Sequence, residues 1–488
     1  MRRPASSHGG RWASAWLLLL ASLASAAPAP DALRRTLERI LGRPAFAPAF
    51  WGIEVRSLKT GRVLFARNAE KNFRPASTLK LVTTAAVLDA LGPDARLRTT
   101  VETTGRLDGQ GRILGDVFLV GRGDPSLSGR PAAGGSVLAP LQELADALEA
   151  AGVRRIEGRV VGHEGAFTGD RRGSDWGWED LTWSYGAEVS ALSFNDNTVE
   201  LRLAPGERPG DPALLEADPR SSYYSVVSTV ATTPAGTKRE LTLVRDAGAN
   251  RIHLAGTLPI GETWEGRVAL EDPARYAAAV FSEVLEARGI RVTGTAATSS
   301  DPLPVESRVL AAHDSPPLFE MLKVVNKESQ NLHTEMMLRL LGQRAKGEGS
   351  VTTGHEAARA FLARMGVPAD GWGLEDGSGL SRSDLVSPRG LVALLVAMDR
   401  HPYAEAFRES LAVMGVDGTL KDRLKGTSVE GRILAKTGTL KRANALAGYA
   451  TTRAGERLAF SIVVNNHTVP GREAVAAIDE IGRALVGR

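Results

Sequence analysis

The chain has 488 residues, 43% of them hydrophobic and 24% charged, an ordinary globular composition spread over more length than one compact core organises. Its 60 Lys+Arg against 56 Asp+Glu leave a formal charge of only +4, and there is no long basic run or aromatic RNA-binding motif, so nucleic acid is not an expected partner. Cysteine is absent, which excludes disulfides, thiolate nucleophiles and Cys-ligated zinc, and the eight His form no H-x-x-x-H pair, so no metal or other cofactor is expected.

Residues 1–26 have the layout of a secretory signal. Arg2, Arg3 and Arg11 are followed by an apolar run at 16–23 and by the small residues Ala24-Ser25-Ala26. That run is shorter than the roughly 20 residues a spanning helix needs. The mature chain is therefore expected to be exported, periplasmic or otherwise extracytoplasmic, at most loosely attached to the envelope and without a stable membrane span.

Asp31 is placed to cap a helix whose Leu33, Leu37, Ile40 and Leu41 share one face. Strand-like runs follow at 51–58 and 62–67, joined by a turn at Lys59-Thr60-Gly61, and then a strong helix at 77–91 closed by Gly92-Pro93. From about residue 96 to 299 short strands separated by Gly, Asp and Pro turns dominate, interrupted by helical patterns at 138–151 and 273–288. Helices return after Ser315-Pro316-Pro317. Strands at 443–451 and 458–465 and a helix from Arg472 end the chain. The pattern predicts a mixed α/β (α+β) domain, residues 27–95 and 300–488, split by a large, mainly β insertion.

Three short motifs lie in the expected α/β halves. In Ser77-Thr78-Leu79-Lys80 the hydroxyl and amine are three residues apart on one helical face, so they can meet. A serine hydroxyl attacks well only when a base takes its proton, and Lys80 can be that base if burial disfavours its charged form. In Ser329-Gln330-Asn331, predicted just inside a helix, Ser329 can relay a proton between Lys80 and a leaving amine, while Asn331 can bond a substrate peptide group. In Lys436-Thr437-Gly438-Thr439, on a strand edging a cleft, the ammonium and hydroxyls face a substrate carboxylate. Gly438 lets a ligand approach, and the Thr439 and Ser77 amides form an oxyanion hole. Arg382 is a candidate for an acidic group on the substrate. Trp176, Trp178, Trp183 and Tyr185 form an aromatic cluster that favours a core role over a saccharide platform.

The ordered set S-x-x-K, S-x-N and K-T-G is shared by penicillin-binding proteins and class A β-lactamases, here with Gln330 where Asp is usual. Ser77 and Ser329 are 252 residues apart. With Gly123-Asp124-Pro125, Asn326-Lys327-Glu328-Ser329-Gln330-Asn331-Leu332 and Asp376-Gly377-Ser378-Gly379-Leu380-Ser381-Arg382, that gap resembles the penicillin-binding protein 4 family of D-alanyl-D-alanine carboxypeptidases/endopeptidases (peptidase family S13). The resemblance implies a β-lactamase/DD-peptidase-like transpeptidase domain interrupted by two inserted domains, here 96–200 with 266–299, and 201–265. It further implies a serine-type D-Ala-D-Ala carboxypeptidase acting on peptidoglycan stem peptides through an acyl-enzyme at Ser77, with β-lactam antibiotics as covalent inhibitors. Lys80 is then the base, Ser329 and Asn331 proton relay and substrate contact, and Lys436 the carboxylate-side cation. A β-lactamase or esterase on the same core is the rival reading, but the Glu-x-x-x-Asn loop of class A enzymes is missing, since no Asn occurs from Leu332 to Lys436. A catalytically silent peptidoglycan-binding or penicillin-sensing module is the third, opposed by the intact set of motif residues.

Overall fold

Strands Ala443–Thr451 and Arg457–Asn465 are apolar on both faces, the pattern of strands buried between two layers. The computed structural model describes residues 32–128 and 135–488, so the expected signal and the Asp31 cap lie outside the described residues. In it these strands lie in the middle of a six-stranded antiparallel sheet, ordered Ala412–Val413, Ile433–Leu440, Ala443–Thr451, Arg457–Asn465, Phe50–Ser57 and Val63–Arg67. The two ends of the chain thus share one sheet, with Ile53 opposite Ile462.

Alternation assigns the two faces. Leu446, Phe460 and Ile462 pack with Leu37 and Ile40 of helix Ala32–Leu41 and Ile478 and Ile481 of helix Gly471–Val486. On the other face Ala447, Tyr449 and Ala459 meet Leu81, Val82 and Leu88 of helix Lys80–Leu91 and Leu391 and Leu395 of helix Pro388–Asp399. Helix Lys80–Leu91 is buried without a break from Lys80 to Leu88, as expected of a helix apolar nearly all round. Its position draws the Lys80 side chain into the interior.

The insertion is built on a five-stranded sheet ordered Ala297–Ser299, Val160–His163, Val117–Val120, Arg98–Thr103 and Arg308–Asp314, with helices Ala139–Ala150 and Pro273–Ala287 packed on it. The sequence limit at 299/300 falls short. Arg308–Asp314 pairs with Arg98–Thr103, and the two crossings meet at a neck where Ser315 N donates to Leu97 O (2.8 Å) and Leu97 N to Ser315 Oγ (2.9 Å). The limits at 201 and 265 cut through strands Thr198–Ala204 and Trp264–Ala269, which pair with each other. One continuous core joins Val101 and Leu119 to Val230 and Leu254, so the two expected inserted domains share a single interior. Among the described residues no helix is long and apolar enough to cross a membrane.

Candidate active site

Ser77 stands in a single 3₁₀ turn, Ala76–Leu79, that runs directly into helix Lys80–Leu91. The turn is held by close backbone approaches. A Cβ on Gly379 would lie 2.0 Å from the Ala76 carbonyl oxygen, and one on Gly438 would lie 2.6 Å from that of Pro75. Gly438 therefore also admits the segment that carries the nucleophile. Lys80 is completely buried, and its Nζ donates to Ser77 Oγ (3.0 Å), Asn331 Oδ1 (2.6 Å) and the Ser378 carbonyl (2.7 Å). Burial lowers its pKa from 10.5 to about 7 against the opposing pull of Asp376, Glu335 and Asp384. Near neutrality it can exchange a proton with Ser77.

Ser329 is not inside a helix. It lies in the break between helices Leu318–Glu328 and Asn331–Lys346, in the left-handed conformation (φ 67°) that ends the first. The Gln330 side chain accepts from Leu332 N (2.8 Å) and caps the second helix, a role the commoner Asp also performs. That cap starts the helix at Asn331, whose amide nitrogen donates to the Tyr185 carbonyl (2.8 Å) while its oxygen meets Lys80. Lys436 is also completely buried. Its Nζ donates to Ser329 Oγ (2.8 Å) and the Thr437 carbonyl (3.1 Å), and burial, then the charge of Lys80, pushes its pKa well below the usual lysine value. The partner that Ser329 shows is thus Lys436, where Lys80 was expected. Lys436, expected as the carboxylate-side cation, reaches the serine from a buried position on its strand. On the same strand the Thr437 hydroxyl lies 2.8 Å from that of Thr419, and Thr439 is exposed.

A wall of the cleft comes from the insertion. Besides the Tyr185 carbonyl, Trp176 Nε1 donates to Asp376 (2.9 Å), Ser383 Oγ donates to the Asp175 carboxylate, and Arg382 Nη1 donates to Asp180 Oδ2 (3.0 Å). Arg382 is thus already paired with a carboxylate of the insertion. The four aromatic residues do not form a core: Trp178 is 85% exposed and Tyr185 43% exposed. Trp176 and Trp183 are half-buried. Of the four, Tyr185 lines the cleft and Trp176 packs against Val189, Leu332 and Met336. Ser77, Ser329, Asn331, Thr439, Asp180 and Arg382 line one cavity of about 450 Å³.

A family model, the D-Ala-D-Ala carboxypeptidase 3 (S13) family, matches residues 33–485. The chain belongs to the S13 family. A D-alanyl-D-alanine carboxypeptidase of Actinomadura sp. (strain R39) is 34% identical over 97% of this chain and 90% of its own length, and one from Haemophilus influenzae (DacB) is 26% identical over 87% of each. The crystal structure of penicillin-binding protein 4 from Haemophilus influenzae superposes with a TM-score of 0.79 at 25% identity, covering 93% of this chain and 98% of that one. As a D-alanyl-D-alanine carboxypeptidase of the S13 family, the protein carries its three motifs at one cleft.

Sequence reasoning missed the buried acidic groups of this S13 site. Glu335, Asp376 and Asp384 are each at most 1% exposed. Glu335 follows Asn331 by four residues, a spacing that puts both on one helical face, and this signal was available in the sequence.

Proposed function

We propose that this S13 enzyme cleaves D-alanyl-D-alanine termini through an ester at Ser77. The single observation that carries the reading is the buried Lys80 amine, 3.0 Å from the Ser77 hydroxyl. Ser77 Oγ attacks the carbonyl of the penultimate D-Ala and its proton passes to Lys80 Nζ, while the Ser77 and Thr439 amides receive the developing oxyanion. The C–N bond to the terminal D-Ala then breaks, and its nitrogen takes a proton delivered through Ser329. Water hydrolyses the ester, returning Ser77 and the penultimate D-Ala carboxylate. Lys436 orients Ser329 from behind. Asn331, Thr437, Gly438, Thr439 and Arg382 frame the substrate, with Arg382 available to an acidic stem-peptide group that displaces Asp180. The substrates are peptidoglycan stem peptides outside the cytoplasmic membrane, with terminal D-Ala or a cross-linked peptide as the leaving group. β-Lactams enter the same acylation step, and a Haemophilus influenzae relative of this fold has been solved with one bound.

The test is release of D-Ala from a D-Ala-D-Ala-terminated peptide by wild type, Ser77→Ala and Lys80→Ala. Release by wild type and by neither variant is expected. Release by Ser77→Ala at the wild-type rate would refute the reading.

A further inference from the structure

Lys80 is fixed by two acceptors besides Ser77, and both trace to one helix. Asn331 Oδ1 accepts directly (2.6 Å). The other acceptor is the Ser378 carbonyl (2.7 Å), in a loop with no regular structure of its own. Something else must hold that carbonyl in place. Glu335 Oε1 accepts from Gly377 N (2.9 Å) and Ser378 N (2.8 Å), and from the other side Thr83 Oγ1, on the nucleophile helix, donates to the Gly377 carbonyl (2.8 Å). Asp376 gathers the next turn of the loop through Ser378 N (3.0 Å), Gly379 N (2.6 Å) and Ser381 N (2.7 Å).

Glu335 takes part in none of the proposed proton transfers, yet its burial is costly. Glu335 is completely buried, and its Oε2 has no hydrogen-bond partner; the nearest cation, Arg339 Nη1, is 3.6 Å away and donates to the Glu335 carbonyl. A carboxylate in such a place is expensive unless it performs a task.

We propose that Glu335 is a positioning residue for Lys80, tying down the Gly377–Ser378 backbone so that the Ser378 carbonyl and the Asn331 amide clamp the amine against Ser77. Asn331 and Glu335, four residues apart on one helix face, act as the two arms of this clamp. The charged groups around the amine are Glu335 and Arg339 from helix Asn331–Lys346, Asp376 and Asp384 from the loop, and Lys436 from strand Ile433–Leu440. Asp376 and, once ionised, Glu335 raise the proton affinity of Lys80, while burial and Lys436 oppose them, so removing the Glu335 charge shifts Lys80 towards its neutral form.

The inference rests on Lys80 as the base for Ser77. It is tested by the pH profile of benzylpenicillin acylation, followed by intact-protein mass, for wild type, Glu335→Gln, Glu335→Ala and Lys80→Ala. Glutamine keeps an oxygen for the two amides but loses the charge. Its plateau rate is expected within about threefold of wild type, with a midpoint lower by about half a pH unit or more. Alanine loses the tie, and its plateau is expected to fall about 100-fold, the scale of a misplaced catalytic group. A Glu335→Gln midpoint equal to wild type overturns the inference, whether or not Glu335→Ala folds. Acylation of Lys80→Ala at the wild-type rate overturns the base assignment itself; an inert Lys80→Ala with an unmoved Glu335→Gln midpoint removes only the clamp.

Discussion

Burial of Lys80 fixes the pH range in which acylation is fast. A lysine at its ordinary value of 10.5 is neutral in only about one molecule in three thousand at pH 7. With the value lowered to about 7, half of the molecules hold a neutral amine at that pH. The neutral share is about one-tenth at pH 6 and about nine-tenths at pH 8, so acylation should rise about tenfold across that interval and level off above it. The sign follows from the role: the base acts when deprotonated, so activity is gained as pH rises through the folded-state value and lost below it. The assay is the second-order rate of benzylpenicillin acylation by rapid quench and intact-protein mass, over a range in which the fold is unchanged by circular dichroism. A rate still rising tenfold per unit beyond pH 9 would mean an unshifted lysine and refute the reasoning. A rate flat from pH 5 to pH 9 would remove Lys80 from proton transfer.

Lys436→Met replaces a fully buried amine that has no carboxylate partner among the described residues with an apolar chain of similar length. The melting temperature should hold or rise, while acylation falls about 10- to 100-fold because Ser329 loses its donor; equal acylation by mutant and wild type would sever Lys436 from Ser329. Burial and the neighbouring Asp376 raise the proton affinity of Asp384, so above the ordinary carboxylate range the folded chain holds a proton that the unfolded chain releases, and stability falls as pH rises. Asp384→Asn keeps an acceptor for Glu375 N and removes that linkage, so its gain in melting temperature over wild type should be larger at about pH 9 than at about pH 5. A gain that is the same at both pH values would contradict it.

The catalytic half of the fold was legible where burial imposes a period. Leu33, Leu37, Ile40 and Leu41 are the buried residues of the first helix, and the apolar run at 443–451 is a central strand. Arg308–Asp314 was not legible as part of the insertion, because most of the strand is exposed or only partly buried and carries no clear alternation. The shared core of the insertion was hidden for a related reason. Val230 and Leu254 sit in strands of alternating burial that look self-contained until they join the core that also holds Leu119. In the site, the motifs gave the residue types, but the directions came from the fold. Ser329 faces Lys436 because a left-handed residue ends one helix while Gln330 caps the next, and no short pattern records where two helices break. Arg382 meets Asp180 only because the insertion folds back over the cleft, a contact between residues 202 apart in the chain.

Intact-protein mass spectrometry after a brief benzylpenicillin pulse and removal of free drug tests the central claim most directly. Ser77 and Lys80 can form the ester, but in opened penicillin the leaving amine stays tethered where the hydrolytic water must approach, and the Glu-x-x-x-Asn loop of class A β-lactamases, which drives that water, is missing from the sequence. The account predicts one persistent adduct on the peptide containing Ser77, absent from Ser77→Ala. Rapid loss of the adduct with many turnovers, no adduct, or an adduct on another residue would contradict it.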